Sequence, residues 1–284
     1  MRPTGPEIDQ KLTPLMLIAQ VTDSHVEAPG VLAQGKYDAH ADFVRALNQV
    51  AAVQPRPDFI LHTGDATHHG NADVHRDLRA RLEATGIPYA IIPGNHDENE
   101  MLRAAFSDKP WMPKSGFIHF VIELPPVRII CLDTTIPGKV EGTLCPERMA
   151  WLQSKLAEKP GAPTMIAMHH PAFRIGRPTS DARPFGNPKE FAELVAKHPN
   201  VSLVTAGHVH CTLQARIGMA VALAVPSTTY AFAMDRRAGA PLSVIDEPPG
   251  FYLHDWNEPA GFTSQCVLIG DYVAKPHRAA PRPA

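Results

Sequence analysis

Five times along this chain an apolar run stops at a short cluster of carboxylate, imidazole or amide side chains. The run 15–21 ends in Thr22-Asp23-Ser24-His25, and 58–63 ends in Gly64-Asp65. The run 89–92 empties into Pro93-Gly94-Asn95-His96-Asp97, 163–168 into His169-His170-Pro171, and 201–205 into Gly207-His208-Val209-His210. Short apolar runs of this kind read as buried strands. Pro-Gly and lone Gly then stop them, because neither continues a strand comfortably. In α/β folds, groups just past the strand ends lie side by side. Clusters spread from residue 23 to residue 210 can therefore converge.

The segments between the runs supply helices. Residues 37–53 place Phe43, Ala46, Leu47, Val50 and Ala51 on one helical face, with Pro55 and Pro57 closing the segment. Residues 72–84 form a polar-faced helix stopped by Gly86 and Pro88. Strand, helix, strand, helix, strand points to a layered α/β fold. Further along, 101–106 reads as a short helix. The runs 117–124 and 127–132 read as an antiparallel pair around Pro125-Pro126. Residues 146–158 form a helix with Pro146 in its first turn, 174–188 an ordered loop, and 188–197 a helix. Short strands are expected after Cys211, at 219–225, 250–254 and 265–268. There is no internal repeat and no convincing linker, so one catalytic domain is expected over 14–272. Residues 1–13 are expected to be a flexible arm, and the Pro/Arg/Ala-rich 273–284 a disordered tail.

Composition narrows the function classes. With 284 residues, 44% of them hydrophobic, the chain can bury a substantial core. Its net charge of -2, from 27 Lys+Arg against 29 Asp+Glu, gives no sign of a basic nucleic-acid groove. The four cysteines lack C-x-x-C spacing. They are expected to be reduced structural thiols in a cytoplasmic protein. No apolar run approaches the roughly 20 residues of a membrane helix, and the start lacks the basic, apolar, small-residue order of a secretory signal.

Asp23, His25, Asp65, Asn95, His169, His208 and His210 make seven candidate ligands. Mixed oxygen and imidazole donors suit Mn, Fe, Zn or Co better than calcium, which prefers oxygen alone. No cysteine joins them, which argues against a structural zinc knot. Seven exceeds one ion's needs. Two divalent ions sharing a carboxylate would use the set and leave positions for water and substrate. The other histidines are expected to be structural, with substrate contact the alternative for His68 and His69, and Asp133 is expected to be a turn carboxylate or one that orients a ligand rather than a ligand itself. Arg174, Arg177 and Arg183 read either as solvated loop charges or as substrate contacts.

Asp-x-His, Gly-Asp, Gly-Asn-His-Asp, His-His-Pro and Gly-His-x-His, in this order, resemble the calcineurin-like metallophosphoesterases. Leu132-Asp133-Thr134-Thr135, Pro226-Ser227-Thr228 and Pro249-Gly250-Phe251 look closest to the class III cyclic nucleotide phosphodiesterase and glycerophosphodiesterase branch. The resemblance spans about 15–268. It implies an α/β four-layer α-β-β-α sandwich with two mixed sheets and the metal site at the strand C-terminal ends. It implies that Asp23, His25 and His210 hold one ion, that Asn95, His169 and His208 hold the other, and that Asp65 bridges them. A metal-bridging hydroxide would be the nucleophile, and His96, no ligand, would assist the leaving oxygen. Asp97 and His170 would orient the ligands.

The chain departs from the branch after His169-His170-Pro171. Relatives often show a Gly followed by a Met-Asp pair, whereas here Gly176 precedes Arg177-Pro178-Thr179-Ser180-Asp181. The loop 172–187, with Arg174 and Arg177, is expected to govern substrate choice. The expected activity is metal-dependent hydrolysis of small phosphodiesters, 3',5'-cyclic nucleotides (cAMP) first. Glycerophosphodiesterase, broad phosphomonoesterase or nuclease action on the same scaffold are the alternatives. A catalytically silent binding scaffold is more remote, because such a protein should have lost ligands. The expected partner is a small-molecule phosphodiester rather than a membrane or nucleic acid, with a homo-oligomer left open.

Overall fold

The computed structural model describes residues 16–258 and 260–272. The expectations for 1–13 and 273–284 lie outside the described residues. Three parallel strands, β1 (Met16–Val21), β2 (Phe59–His62) and β3 (Tyr89–Ile91), alternate with helices α1 (Ala39–Ala52) and α2 (Ala72–Ala84). The chain continues through α3 (Asn99–Ala105), β4 (Phe120–Leu124), β5 (Val127–Leu132), α4 (Pro146–Glu158) and β6 (Thr164–Met168). Then follow α5 (Pro178–Asp181), α6 (Pro188–Ala196), β7 (Val201–Ala206), β8 (Leu213–Ile217) and β9 (Ala220–Ala224). A two-residue pair, β10 (Ala231–Phe232) and β11 (Val244–Ile245), precedes the closing hairpin, β12 (Gly250–Asn257) and β13 (Gly261–Leu268).

The strands form two mixed sheets, ordered β13-β12-β1-β2-β3 and β4-β5-β6-β7-β9-β8. The period-two alternation of side chains sorts the second sheet's residues between two cores. Ile129 and Cys131 of β5, with Met165 and Ala167 of β6, face the first sheet and join Ile18, Ile60 and Ile91. Ile130, Leu132, Ile166 and Met168 face away and pack on Leu152 and Leu156 of α4 and Phe191 and Val195 of α6. Helices α1 and α2 cover the first sheet through Phe43, Leu47, Val50, Leu78 and Leu82. The result is the expected α-β-β-α sandwich.

Local chemistry sets the helix starts. Asp38 caps α1 by accepting the Ala41 N–H at 3.0 Å. Asn71 caps α2 by accepting from Asp73 and Val74, and Pro146 and Pro188 open α4 and α6. These contacts satisfy N–H groups that have no partner within the helix.

Several expectations needed correction. The loop at 174–188 contains the single turn α5, opened by Pro178. Strands β8, β10 and β11 were not anticipated, and β12 and β13 run longer than 250–254 and 265–268. β8 and β13 are edge strands with alternately exposed residues, so neither presents a continuous apolar run. The expected cysteine state fits: all four are free thiols. Among the described residues no helix is long and apolar enough to cross a membrane.

A buried polar relay ties the two sheets together behind the strand ends. His254 Nε2 lies 2.9 Å from Gln20 Oε1, and its Nδ1 lies 2.8 Å from Ser264 Oγ. Gln20 Oε1 also accepts from Thr205 of β7, while Gln20 Nε2 donates to Thr63. Burial pushes the His254 imidazole down to about 3, so the folded state keeps it neutral. Below the unfolded value of about 6.5 the unfolded chain takes up a proton that the folded chain refuses. This contribution to stability is complete above that value and is lost as pH falls toward 3. Between pH 7 and 5, His254 should therefore remove about 2 kcal/mol of stability. Chemical denaturation of His254→Gln at both pH values should show a pH-dependent loss smaller by about that amount. Equal losses in variant and wild type would mean that His254 is not held neutral.

Candidate metal centre

Every predicted ligand lies within a few residues of a strand C-terminus. Asp23 and His25 follow β1, Asp65 follows β2, and Asn95 and His96 follow β3. His169 and His170 follow β6, and His208 and His210 follow β7. Both sheets contribute, so the groups meet across one end of the sandwich. Six described non-glycine residues have positive φ, and five of them are candidate ligands: Asp23, His25, Asp65, His208 and His210, with φ from 43° to 71°. That conformation is unfavourable for residues with a Cβ, and such strain concentrates where the surrounding structure imposes a functional geometry. Two glycines permit the close approach. A Cβ at Gly94 would overlap the Asp65 backbone and carboxylate, and one at Gly207 would overlap Thr22 and Asp23.

The side chains converge as a chain of overlapping groups. The donor atoms of Asp23, His25 and His210 lie within 4.8 Å of one another, as do those of Asp23, Asp65 and His169, and of His169, His170 and His208. Asp65 sits between the groups. Its Oδ2 is 3.3 Å from His169 Nε2 and 3.8 Å from His25 Nε2, while its Oδ1 accepts the His96 backbone N–H at 2.8 Å. Asp23 Oδ1 lies 3.4 Å from His210 Nε2, and its carboxylate accepts from Thr22 Oγ1 and the His208 N–H.

Tautomers settle what this cluster needs. His169 Nδ1 lies 2.8 Å from the Thr63 carbonyl, and His210 Nδ1 lies 2.9 Å from the Tyr230 carbonyl. A carbonyl only accepts, so each Nδ1 carries the hydrogen and each Nε2 of a neutral ring presents a lone pair. The His210 lone pair faces His25 Nε2 at 3.0 Å, and the His169 lone pair faces the Asp65 carboxylate. His169 Nε2 and Asn95 Oδ1 are buried with no hydrogen-bond partner among the described residues. Lone pairs and carboxylates aimed at common points require positive charge between them. The donor set therefore fits two divalent ions, with imidazole nitrogens, carboxylates and an amide oxygen as ligands.

The protonation preferences express the same demand. Burial opposes a charge on Asp65, yet His169, His25 and His96 hold its carboxyl well below the usual carboxylate range. Burial likewise opposes Asp23, but His210 and His169 bring it to about 2. Burial opposes a proton on His169, while Asp65 and Asp23 push that imidazole up to about 9. Burial and then His169 drive His208 down to about 3. A proton on His169 supplies one positive charge beside two buried carboxylates, which is where a bound cation would take its place.

The remaining candidates fall into place around this centre. Asp97 accepts the N–H groups of Ala66, Thr67 and Gly94 at 2.9–3.1 Å, clamping the Asp65 loop to the Gly94 turn. Burial and the neighbouring Asp65 raise its carboxyl against the pull of those donors. His170 is pinned between Thr134 Oγ1 at 2.8 Å and the Val140 carbonyl at 3.1 Å, with its ring 4.6 Å from that of His208. His96 is exposed. It lies between a cavity of about 230 Å³ on the His25 and His210 side and one of about 730 Å³ toward α3.

Arg174 points to solvent, 86% exposed, and pairs with Asp181. Asp181 also accepts the N–H groups of Ile175 and Gly176, closing its own loop. Arg177 is buried, and its guanidinium donates to Ser180 Oγ and to the carbonyls of Phe232 and Val209. The sequence favours a structural His68 over a substrate contact, but its ring lines the smaller cavity and lies against both His25 and His96. Its place three residues beyond Asp65, on the same loop, was the available signal. Tyr230 and Phe232 also line that cavity and carry no motif.

Comparison with known proteins agrees with this geometry. Residues 16–212 match the model of the calcineurin-like phosphoesterase family. A probable glycerophosphodiester phosphodiesterase GpdQ from Arcobacter nitrofigilis is 32% identical over 90% of this chain and 94% of its own length. The 3',5'-cyclic adenosine monophosphate phosphodiesterase CpdA of Pseudomonas aeruginosa is 29% identical over 77% of this chain and 78% of its own. A dimetal phosphatase from Danio rerio shares the fold, with a TM-score of 0.63 at 13% identity, covering 90% of this chain and all of that one. The family match spans all five strand-end clusters, and the chain belongs to the calcineurin-like phosphoesterases.

Proposed function

We propose that this chain hydrolyses small alkyl phosphodiesters at a binuclear centre, and that Asp65 is the group shared by the two ions. The observation that carries the reading is the position of the Asp65 carboxylate between His25 and His169, with the unpartnered His169 Nε2 and Asn95 Oδ1 on one side and the facing His25 and His210 nitrogens on the other. Asp23, His25 and His210 would hold one ion, and Asn95, His169 and His208 the other. When bound, the two ions supply neutralisation of the phosphoryl oxygens and a water acidified enough to attack at neutral pH.

The chain's own residues do the rest. The His96 backbone N–H is fixed on Asp65, and its exposed ring lines the cavity; in this reading the ring is no ligand. From there the ring can give a proton to the departing oxygen. An alkoxide is a poor leaving group, so this transfer matters most for diesters of sugars and glycerol. Both 3',5'-cyclic nucleotides and glycerophosphodiesters are of that kind. The cyclic nucleotide reading is favoured by Tyr230, Phe232 and Leu242, which together offer a nucleobase an apolar wall beside the ligand cluster. The glycerophosphodiester reading is favoured by the near full-length relative at 32% identity.

Two variants test the chemistry. Asp65→Asn keeps an acceptor for the His96 N–H but removes the shared charge. Metal analysis after desalting should find both ions lost and activity nearly abolished; two retained ions with normal turnover would refute the shared carboxylate. His96→Ala should keep its metal content and lose on the order of 10²-fold in kcat on an alkyl diester such as cAMP. The loss should shrink for an aryl diester with an acidic leaving group. A uniform loss across leaving groups would assign His96 to binding instead. A screen of cyclic nucleotides, glycerophosphodiesters, an aryl diester and the matching monoester with added Mn²⁺ then ranks the substrates.

A further inference from the structure

His25 is held differently from its fellow candidate ligands. His169 and His210 each rest their Nδ1 on a backbone carbonyl. His25 Nδ1 instead lies 3.0 Å from the Nδ1 of another imidazole, His68. If the His25 Nε2 is to present a lone pair toward Asp65 and His210, its Nδ1 must carry the hydrogen. His68 Nδ1 is then the acceptor, and the His68 hydrogen sits on Nε2. The same His68 ring lies nearly parallel to the His96 ring, with centroids 4.5 Å apart and planes 20° apart. The His96 ring is also 4.9 Å from that of His25, at 80°. One half-buried side chain therefore touches both a metal-binding candidate and the proton donor, by different atoms: a ring nitrogen for His25 and a ring face for His96.

We infer that His68 is a positioning residue with two separable tasks: its Nδ1 fixes the tautomer of His25, and its ring face fixes the orientation of His96. The inference rests on the binuclear reading above. Outer partners of metal-binding imidazoles set ring orientation and ligand basicity, and their loss weakens metal affinity by roughly 10–100-fold. A stacked neighbour restricts the rotation of an otherwise exposed ring, and proton transfer depends on that ring's placement. Arg177 and Arg174 offer no substitute, because they engage Val209, Phe232, Ser180 and Asp181.

Because the tasks use different parts of the ring, two substitutions separate them. His68→Asn supplies an oxygen that can accept from His25 but no ring for His96. His68→Phe keeps a flat ring beside His96 but offers His25 no acceptor. Mn²⁺ affinity, measured by chelator competition on the purified protein, should be within about three-fold of wild type for His68→Asn. For His68→Phe it should be weaker by roughly 10–100-fold. At saturating Mn²⁺ the pattern should invert. His68→Asn should lose at least about ten-fold in kcat on an alkyl diester with little loss on an aryl diester, and His68→Phe should lose little on either.

Wild-type behaviour of both variants in both assays would overturn the inference, as would equal losses by both. A third ion is the competing arrangement, since Glu27, His68 and His69 place donor atoms within 4.8 Å of one another, as do His25, His68 and His96. Three ions per wild-type chain, falling to two in both variants, would make His68 a ligand and overturn its positioning role. The metal content of the wild-type protein runs alongside as the control: fewer than two ions per chain would fail the binuclear reading itself, whatever the His68 variants do.

Discussion

The centre depends on lone pairs that have nowhere to go. His169 and His210 are anchored through Nδ1 to carbonyls that can only accept, so each Nε2 must face inward unprotonated when the ring is neutral. They face two carboxylates, Asp23 and Asp65, that are essentially removed from water. Buried charge without a partner is strongly unfavourable. A proton on His169 relieves part of this, but one imidazolium cannot balance two carboxylates and also serve the His25 and His210 pair. Cations relieve it from both sides of Asp65 at once. The ligand geometry is thus an arrangement that the polypeptide alone satisfies poorly and a pair of ions satisfies well.

Two features of the sandwich make so unfavourable a cluster tolerable. Parallel pairing brings the C-terminal ends of β1, β2 and β3, and of β5, β6 and β7, to one edge of each sheet. Rigid strands packed on both faces then set the positions of the turns that follow. Left-handed turns at Asp23, His25, Asp65, His208 and His210 store strain that the packed strands can bear. Asp97 stitches the β2 and β3 turns together through three N–H groups, and Gly94 and Gly207 leave room for the neighbouring carboxylates. The relay from His254 through Gln20 to Thr205 joins the two sheets just behind this edge. Movement of one sheet against the other would break it, along with the spacing between Asp23 and His210.

What could be seen in the sequence follows from the same physics. Ligands on strand ends are legible because an apolar run and a polar cluster adjoin in sequence, and the match repeats five times. The layers are legible where strands are buried on both faces, as in Ile129-Ile130-Cys131-Leu132. Edge strands hide: β8, with Gln214 and Arg216 exposed on one side, looks like a polar loop. Long-range pairing hides as well, as in β10 with β11, where two residues suffice. Roles fixed by tertiary contact are the least visible. Arg177 reads as either a solvated loop charge or a substrate contact, but the fold buries it among carbonyls. His68 reads as one histidine among fifteen, and only the folding of its loop against β1's end sets it on His25 and His96.

The same distinction separates what fixes the proposed reaction from what would fix the substrate. In the proposed reading, the groups close to the phosphorus atom would come from strand ends, whose positions are fixed by sheet register and core packing. Groups farther away come from loops: Thr179, Ser180 and Arg183 from the segment around α5, and Leu242 from the connection between β10 and β11. These loops are held to the scaffold at a few points only. Arg177 ties the first to the backbone of Val209 and Phe232, and the second is flanked by the β10–β11 pairing and by Asp246, which Lys36 and Tyr37 hold just after β11. Changing a residue between the ties alters the cavity wall without moving a ligand. Altering a strand end moves a ligand, and with it the reaction. Selectivity can therefore drift through the loops while the strand-end clusters stay in place. It is also why a chain carrying the complete cluster declares its reaction class more clearly than its substrate.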